Sequence, residues 1–163
     1  MIYGVKDALE FQKSKFYPYN LNYKSNFKYS FYLGIGGNLG DTKMIFDRFF
    51  IKLKGDNRFN IVNTSPLLLN RAFGYKDQPD FLNAVMLVQT SLSPKTTLKV
   101  MQHFEGIFKR KRSFKNAPRT LDLDILWYST KTRPRDEKLL LPHPGVAKRA
   151  SVLLPFGAIK GNI

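Results

Sequence analysis

Two aspartates, Asp122 and Asp124, have the residue type and the spacing that metal chemistry requires. They alternate within residues 120–128, which read as a β-strand because apolar residues occupy every second position. Alternate residues of a strand face the same side and lie about 7 Å apart along it. Because Mg²⁺ prefers carboxylates together with phosphate oxygens and water, the pair predicts a site for one or two Mg²⁺ ions. The alternative is a solvated outer face that carries two unpaired acids.

A run of basic residues precedes the two aspartates. Within eleven positions the sequence has Lys109, Arg110, Lys111, Arg112, Lys115 and Arg119. Arginine can bind two phosphate oxygens at once, and phosphoryl transfer requires little beyond metal ions, cations and correct positioning. Basic runs are also typical of solvated surfaces and nucleic-acid patches. The position of this run beside paired carboxylates favours a metal–phosphate site.

The composition of the whole chain also indicates an anionic partner. The 163 residues carry a formal net charge of +15, and residues 99–149 hold 13 basic and 5 acidic side chains. So strong a balance predicts a polyanionic ligand. The absence of cysteine excludes disulfides, thiolate nucleophiles and cysteine-ligated metals. Because 43% of the residues are apolar and no signal-peptide or membrane-spanning pattern occurs, we expect a globular protein in the cytoplasm without a membrane partner.

The elements that must position these residues follow a β-α-β-β-α-β order. Periodicity predicts strands at residues 29–35, 60–65, 81–90 and 120–128. One amphipathic helix follows Asp41, and a second follows Ser93 and Pro94, which have the residue types of helix starts. This order is typical of the ferredoxin-like α+β fold with an antiparallel sheet. We expect both helices to cover one face of the sheet and to leave the other face free for ligands.

Other segments lead to further structural expectations. The glycine-rich residues 34–40 predict a tight turn from strand to helix, and residues 66–79 predict a long irregular loop of the functional type. Residues 1–28 read as an N-terminal extension, a helix or an arm, attached to a single domain at residues 29–163. Along the last strand, alternation places Trp127 on the apolar face, opposite the aspartates.

Several single residues could contribute to a site. Asn83 carries an amide that could read the edge of a heterocycle, since it offers both a donor and an acceptor. His143 lies between two prolines and could present a donor, or it could be a packed surface histidine. Gln102, Glu105 and Lys109 have helical spacing and share a face opposite the buried stripe. Their pattern alone favours solvent exposure.

Four sequence blocks occur in a fixed order: YLGIGGNLGD at residues 32–41, DQPDFLN at 77–83, PRTLDLDI at 118–125 and LPH at 141–143. Together they resemble the 6-hydroxymethyl-7,8-dihydropterin pyrophosphokinases. The resemblance covers residues 29 to about 159, and the PRTLDLDI block is its most specific part. It implies an enzyme of folate biosynthesis that moves the terminal pyrophosphate of ATP onto the hydroxymethyl group of a reduced pterin and leaves AMP.

The resemblance also implies roles for particular positions. Two Mg²⁺ ions would bridge the ATP phosphates and be held by Asp122 and Asp124. The implied catalytic residues are Arg110, Arg112, Arg119 and His143. The implied ATP-binding residues are Gln102, Glu105, Arg112, Ile125, Lys138, His143 and Arg149. The implied pterin-binding residues are Asn70, Arg71, Ala72, Phe73, Phe81, Asn83, Phe114, Asn116 and Asp124.

One departure from the family pattern affects the pterin site. The family usually has Trp-Gly before the Pro-Arg pair, whereas this chain has Asn116 and Ala117. The chain therefore lacks the aromatic residue that would cover one face of the pterin. We predict that Phe114 covers that face, opposite Phe81. The alternative is that Phe114 packs on the protein body.

Two other functions remain open from the sequence. A basic ferredoxin-like domain could be an RNA-binding module, and a chain that has lost an aromatic could be a catalytically impaired homologue. Nucleic acid is the less expected ligand, because Asp122 and Asp124 place negative charge where RNA bases would stack. We expect a monomer.

Overall fold

A computed structural model describes residue 2 and residues 4–21, 23–72, 74–111, 114–130, 139, 141–144 and 148–160. The strands are β1 (Ala8–Gln12), β2 (Tyr19–Asn20), β3 (Tyr29–Gly37), β4 (Phe59–Thr64), β5 (Leu67–Asn70), β6 (Phe81–Thr90) and β7 (Asp122–Tyr128). The helices are α1 (Thr42–Lys54), α2 (Pro94–Ile107) and α3 (Ala150–Lys160). A short 3₁₀ helix, Val5–Asp7, precedes β1. None of the described helices has the length and apolar character that crossing a membrane demands.

The described strands form one antiparallel sheet with the order β1-β5-β6-β3-β7. On the far side of β6 from β3, the strand β4 pairs with the second half of β6, and β5 pairs with its first half. The strand β2 pairs with β4. The predicted β-α-β-β-α-β order is therefore confirmed in β3-α1-β4-β6-α2-β7, with β5 inserted between β4 and β6. The ferredoxin-like α+β fold is confirmed with it.

The helices α1 and α2 form where the sequence predicts them because their caps and apolar stripes are local signals. Asp41 caps α1 by accepting a hydrogen bond of 3.2 Å from the Met44 backbone N–H, and Ser93 caps α2 in the same way. The stripes of both helices pack on the sheet face that carries Phe31, Leu33 and Ile35 of β3. This packing forms the main hydrophobic core.

The opposite face of the sheet is only partly free. Val152, Phe156 and Ile159 of α3 have helical spacing and pack against Val85 of β6 and Leu126 of β7. The prediction of an open ligand face is therefore wrong for the part of the sheet under α3. The ends of β3, β6 and β7 near Asp122 are not covered by this packing, and the cleft described below lies there.

A register shift in β7 overturns the predicted position of Trp127. The pairing partners are Tyr32 with Trp127 but Leu33 with Ile125, so one extra residue bulges from the ladder. Alternation is interrupted at the bulge. Trp127 is 41% exposed and contacts the Tyr32 ring, instead of joining the core with Ile125.

Two further expectations need correction. The strand β3 continues through Gly37, so the turn to α1 comprises residues 38–41 and not the whole glycine-rich run. The predicted loop at residues 66–79 contains β5 (Leu67–Asn70), which pairs with β6. Both differences arise because neighbouring strands supply backbone hydrogen bonds that local sequence does not reveal.

The N-terminal extension is an arm rather than an α-helix. Its strand β1 pairs with β5, and the Asp7 carbonyl accepts a hydrogen bond of 2.8 Å from the Arg71 backbone N–H. Tyr17 is fully buried between α1 and the arm, where its hydroxyl donates to the Phe46 carbonyl at 3.1 Å. Burial also raises the pKa of Tyr17 well above its usual value, so it stays a neutral donor. The extension is therefore part of the folded core.

This packing predicts that Tyr17→Ala lowers the free energy of unfolding by about 3–5 kcal/mol, because a buried aromatic and its hydrogen bond are both lost. Tyr23→Ala is the matched control, since Tyr23 lies in the same extension and is 62% exposed. Urea unfolding of both variants measures the difference. Equal stabilities for the two variants would show that the extension is not part of the cooperative core.

Candidate active site

The floor of the candidate site is the backbone of β3. Gly36 pairs with Asn83 on β6 and with Asp122 on β7, and Gly34 pairs with Asp124. A Cβ at Gly36 would lie only 2.9 Å from Asn83 Oδ1 and 3.9 Å from Asp122 Cβ. Glycine at this position therefore leaves a flat space between an amide and a carboxylate. The side chains of Asn83 and Asp122 therefore lie on the same face of the sheet.

Asp122 forms ion pairs with two arginines, one at each end of the basic loop at residues 110–119. Arg110 Nη1 lies 2.7 Å from Asp122 Oδ1, and Arg119 Nη1 lies 3.0 Å from Asp122 Oδ2. All three side chains are largely buried. Both carboxylate oxygens are therefore engaged, and both ends of the loop are fixed to one residue.

Glu105 is buried, which overturns the expectation that its helix face is exposed. It is 4% exposed, forms an ion pair with Arg110 and accepts a hydrogen bond of 3.1 Å from the Leu123 backbone N–H. Burial raises the pKa of the Glu105 carboxyl, although Arg110 opposes that effect. Gln102 remains exposed, and Lys109 lies beyond the end of α2 with a φ of 61°, so neither shares the environment of Glu105.

The pKa of the Asp124 carboxyl is strongly raised by its surroundings. Burial raises its pKa to about 7, and the neighbouring charges of Asp122 and Glu105 add to this effect, while Arg110 and Arg119 oppose it. A carboxylate in such surroundings is stabilised by any additional cation. The site therefore favours a bound positive charge next to Asp124.

The donor set fits Mg²⁺. Among the described residues, no group of three or more His, Asp or Glu side chains forms a metal cage made by the protein alone. Mg²⁺ seldom uses such cages, because it is usually bound by one or two carboxylates, substrate phosphates and water. Asp122 and Asp124 supply those carboxylates, and a bound cation would offset both the burial of Asp124 and its repulsion by Asp122 and Glu105.

A polar cleft opens above this floor. Its lining residues are Gly36, Asn70, Phe81, Asn83, Asn116, Arg119, Asp122, Arg149 and Ser151. Asn83 Nδ2 donates to Asn70 Oδ1 at 2.5 Å, so the two amides are positioned together. The Arg119 guanidinium lies over the Phe81 ring, 5.7 Å from its centre. The cleft thus joins amides and an aromatic ring to the carboxylate and arginines.

Other predicted pterin residues surround this cleft without all lining it. Ala72 is buried and Arg71 is exposed, and the backbone N–H of Arg71 donates to Asp7 of the extension. Phe114 is 57% exposed and meets Tyr75 edge-on, with 5.3 Å between ring centres. Phe114 lines a second, basic pocket beside the cleft, together with Arg110, Lys111, Lys115, Asn116, Ala117, Pro118 and Arg119.

The predicted phosphate-binding residues lie on two sides of the cleft. His143 is held beside β7, where its backbone N–H donates to the Leu126 carbonyl at 2.8 Å. Burial and the nearby Arg149 lower the pKa of His143, although Asp122 opposes them, so its imidazole is mainly neutral near pH 7. Ile125 is buried in the main core, on the face opposite Asp124. Predictions for Phe73, Arg112 and Lys138 concern positions outside the described residues.

Sequence reasoning missed a polar hub at Asn38. Its Nδ2 donates to Gln78 Oε1 and to the Pro79 carbonyl, both at 2.9 Å, and its Oδ1 accepts from the Arg119 backbone N–H at 2.9 Å. Asn38 is buried, so these bonds replace the water it would otherwise bind. Its only sequence signal was its place in the first motif block, because the partners come from distant segments.

The raised pKa of Asp124 predicts a specific pH dependence in the presence of a chelator. The folded chain retains a proton on Asp124 up to about pH 7, whereas the unfolded chain loses it near pH 4. Stability contributed by this proton is therefore lost as the pH rises from about 4 to about 7. Relative to the wild type, Asp124→Asn is expected to gain roughly 1–4 kcal/mol in free energy of unfolding between pH 5 and pH 8.

Urea unfolding at the two pH values measures this gain. Asp77→Asn, which alters an exposed carboxylate, serves as the control. A stability difference between Asp124→Asn and the wild type that does not change with pH would contradict the assignment of a buried, proton-retaining carboxyl.

Comparison with known proteins shows the family of the chain. Residues 32–161 match the family model described as 7,8-dihydro-6-hydroxymethylpterin-pyrophosphokinase. A relative from Campylobacter jejuni, named 2-amino-4-hydroxy-6-hydroxymethyldihydropteridine pyrophosphokinase, is 49% identical over 158 residues, which are 97% of this chain and 98% of the relative. A relative of the same name from Helicobacter pylori is 36% identical over 90% of this chain and 91% of the relative. Another from Bacillus subtilis is 32% identical over 78% of this chain and 76% of the relative.

These matches confirm the resemblance drawn from the four motif blocks. They also confirm the prediction of an ATP-dependent pyrophosphokinase of folate biosynthesis, in preference to an RNA-binding module. The family depends on Mg²⁺, in agreement with the carboxylate pair. The motifs and the cleft agree with these matches, which show that the chain belongs to the 7,8-dihydro-6-hydroxymethylpterin-pyrophosphokinase family.

Proposed function

We propose that the cleft between β6 and β7 transfers pyrophosphate from ATP to 6-hydroxymethyl-7,8-dihydropterin. The observation that carries the proposal is the carboxylate of Asp122 held between Arg110 and Arg119, next to Asp124 and across Gly36 from Asn83. The Asn83 amide and the Asp122 carboxylate lie on the two strands that flank β3, so groups for a flat heterocycle and groups for phosphates are separated by a single strand. Pyrophosphoryl transfer needs both kinds of group in contact with one reaction centre.

The triphosphate is proposed to lie in the basic pocket, with its reacting phosphate beside Asp122. Arg110, Lys111, Lys115 and Arg119 all line that pocket, and their charge suits a polyanion. Two Mg²⁺ ions are proposed on Asp122 and Asp124, where they would supply charge neutralisation for the phosphates. With Mg²⁺ on these carboxylates, Arg110 and Arg119 would no longer have to neutralise Asp122, so both guanidinium groups would be available for phosphate oxygens.

The remaining ATP contacts are proposed on both sides of this pocket. Glu105 stays buried and fixes the start of the basic loop through Arg110. His143 and Arg149 adjoin the cleft and would contact phosphates, while Gln102 lies on the exposed side of α2. Because the Ile125 side chain is buried in the core, its contact with ATP would use the backbone. Arg112 and Lys138 complete the proposed set from the sequence resemblance alone.

The pterin is proposed to stack on Phe81, in the space where the Arg119 guanidinium now lies. The amides of Asn83 and Asn70 would then donate and accept at the edge of the ring. Ala72 and Asn116 would border the pocket, with Arg71 and Phe73 on the same loop. Coverage of the second pterin face by Phe114 requires that ring to leave Tyr75, so this part of the sequence prediction depends on loop movement.

The transfer itself follows from this arrangement. The hydroxymethyl oxygen of the pterin attacks the β-phosphorus of ATP, and the bond between that phosphorus and the bridging oxygen of AMP breaks. The hydroxyl proton passes to water, and AMP leaves with the bridging oxygen. Arg110 and Arg119 would stabilise the charge that develops on the transferred group. We also propose that the enzyme acts as a cytoplasmic monomer, since every proposed site residue belongs to one chain.

Asp122→Asn is expected to lower kcat by at least about 100-fold, because a neutral amide no longer offsets the desolvation of the bound cation or anchors the phosphates. The measurement is AMP release from ATP with and without 6-hydroxymethyl-7,8-dihydropterin. Glu10→Gln is the control, since Glu10 is an exposed carboxylate on β1 at the opposite edge of the sheet. Pterin-independent AMP release by the wild type, or full activity of Asp122→Asn, would refute the proposed function.

Arg110→Ala is expected to lose kcat, by roughly 10²–10³-fold, with little change in ATP affinity, because Arg110 is paired with Glu105 and Asp122 before substrates bind. The same split is expected for Arg112→Ala. Arg48→Ala removes an exposed arginine of α1 outside the site and controls for general charge loss. Steady-state kinetics and calorimetry with a non-reactive ATP analogue separate the two effects. A large loss of ATP affinity with unchanged kcat would make Arg110 a ground-state binder instead.

A further inference from the structure

Two loops border the cleft, and they are joined to each other by direct contacts. The substrate loop comprises residues 71–80, and the basic loop comprises residues 110–119. Asn116 of the basic loop lines both the cleft and the basic pocket, so it forms the wall between the proposed pterin and phosphate spaces. The position of its side chain therefore shapes the pterin space, while the phosphate space is lined mainly by other residues of the basic loop.

The contact between the loops is close at Gly74. A Cβ built on Gly74 would overlap Asn116 Nδ2 and would lie 3.0 Å from Asn116 Cγ and 3.1 Å from its Cβ. The Asn116 side chain therefore occupies the space that any other residue at position 74 would need. Gly74 has a φ of +80°, so its backbone is also in the region that favours glycine.

The backbone of Asn116 is fixed by a second contact. Its φ is 60°, a left-handed conformation that asparagine tolerates better than most residues. Its carbonyl accepts a hydrogen bond of 2.9 Å from Gln78 Nε2, and Gln78 Oε1 accepts from the buried Asn38 at 2.9 Å. Asn38 also holds the Arg119 backbone at the end of the same loop. The two loops are thus connected at Gly74, at Gln78 and through Asn38.

We infer that Asn116 is a positioning residue: its amide, packed on Gly74, locks the basic loop to the substrate loop and so forms one wall of the pterin site before substrates bind. The inference rests on the proposed function, because it assigns the cleft to the pterin. The proposed effect is preorganisation of the pterin site. A wall that is already in place costs less ordering entropy when the ligand binds, and that saving appears as affinity for the pterin.

A double-mutant cycle tests the lock. Gly74→Ala forces the Asn116 side chain out of its place, and Asn116→Gly removes the side chain while keeping the left-handed backbone accessible. In the wild-type background Gly74→Ala introduces both backbone strain and the clash. In the Asn116→Gly background it introduces only the strain. Gly4→Ala measures the strain alone, since Gly4 has a φ of +81° and no atom within 4 Å of an added Cβ.

Two readouts are taken on the full chain. The first is the rate of tryptic cleavage in the basic loop without substrates, and the second is the pterin Kd by calorimetry with a non-reactive ATP analogue present. Each single variant at positions 74 and 116 is expected to raise both quantities roughly 3- to 10-fold, the effect of losing one interaction of ordinary strength. The double variant is expected to be no worse than Gly74→Ala, and the Kd of the ATP analogue is expected to change less than about 2-fold.

Three outcomes would overturn the inference. One is an effect of Gly74→Ala on the rate of loop cleavage that is the same in both backgrounds. The same conclusion follows if this effect is no larger than the effect of Gly4→Ala on the rate of tryptic cleavage near residue 4. Another is faster cleavage with an unchanged pterin Kd, which would make the lock structural only. The third is an equal loss of pterin and ATP-analogue affinity. If the wild type binds no pterin, the proposed function fails, whereas the cleavage cycle still tests the lock independently.

Discussion

The site depends on a cluster of three carboxylates and two arginines at the start of β7. Burial raises the pKa of Asp124 and of Glu105, and repulsion from the Asp122 charge adds to the effect at both. Arg110 and Arg119 compensate part of the charge by pairing with Asp122. Because these arginines lie at opposite ends of the basic loop, one carboxylate fixes both of its ends. Any cation that binds Asp122 competes with both loop anchors, so ligand binding and loop position are physically linked.

The second constraint is the missing side chain on the central strand. Gly36 lies between Asn83 and Asp122, and a Cβ there would crowd the Asn83 amide. Side chains of β6 and β7 can therefore face each other across β3, with no β3 side chain between them. The polar hub at Asn38, one residue beyond the end of β3, then holds the loops that follow. Floor, carboxylates and loops all derive their positions from the same strand end.

The N-terminal extension supports the side of the cleft that carries Asn70. Its strand β1 lies outside β5 and supplies backbone partners to the segment that carries Asn70 and Arg71. Without β1, the strand β5 would be an edge with unpaired backbone groups. The alignment with the Campylobacter jejuni relative covers 158 residues, so it includes most of the extension, whereas the alignment with the Bacillus subtilis relative covers 128. The extension is thus integrated into the fold and shared with at least one relative.

Local signals determined much of this protein from its sequence alone. The caps at Asp41 and Ser93, the apolar stripes of α1 and α2 and the alternation that places Asp122 and Asp124 together are properties of short segments, and the structure has them as predicted. Only the tertiary structure decided the burial of Glu105, the bulge that exposes Trp127 and the packing of α3 over part of the ligand face. These features depend on partners far away in the chain, whose distances and packing no local pattern encodes.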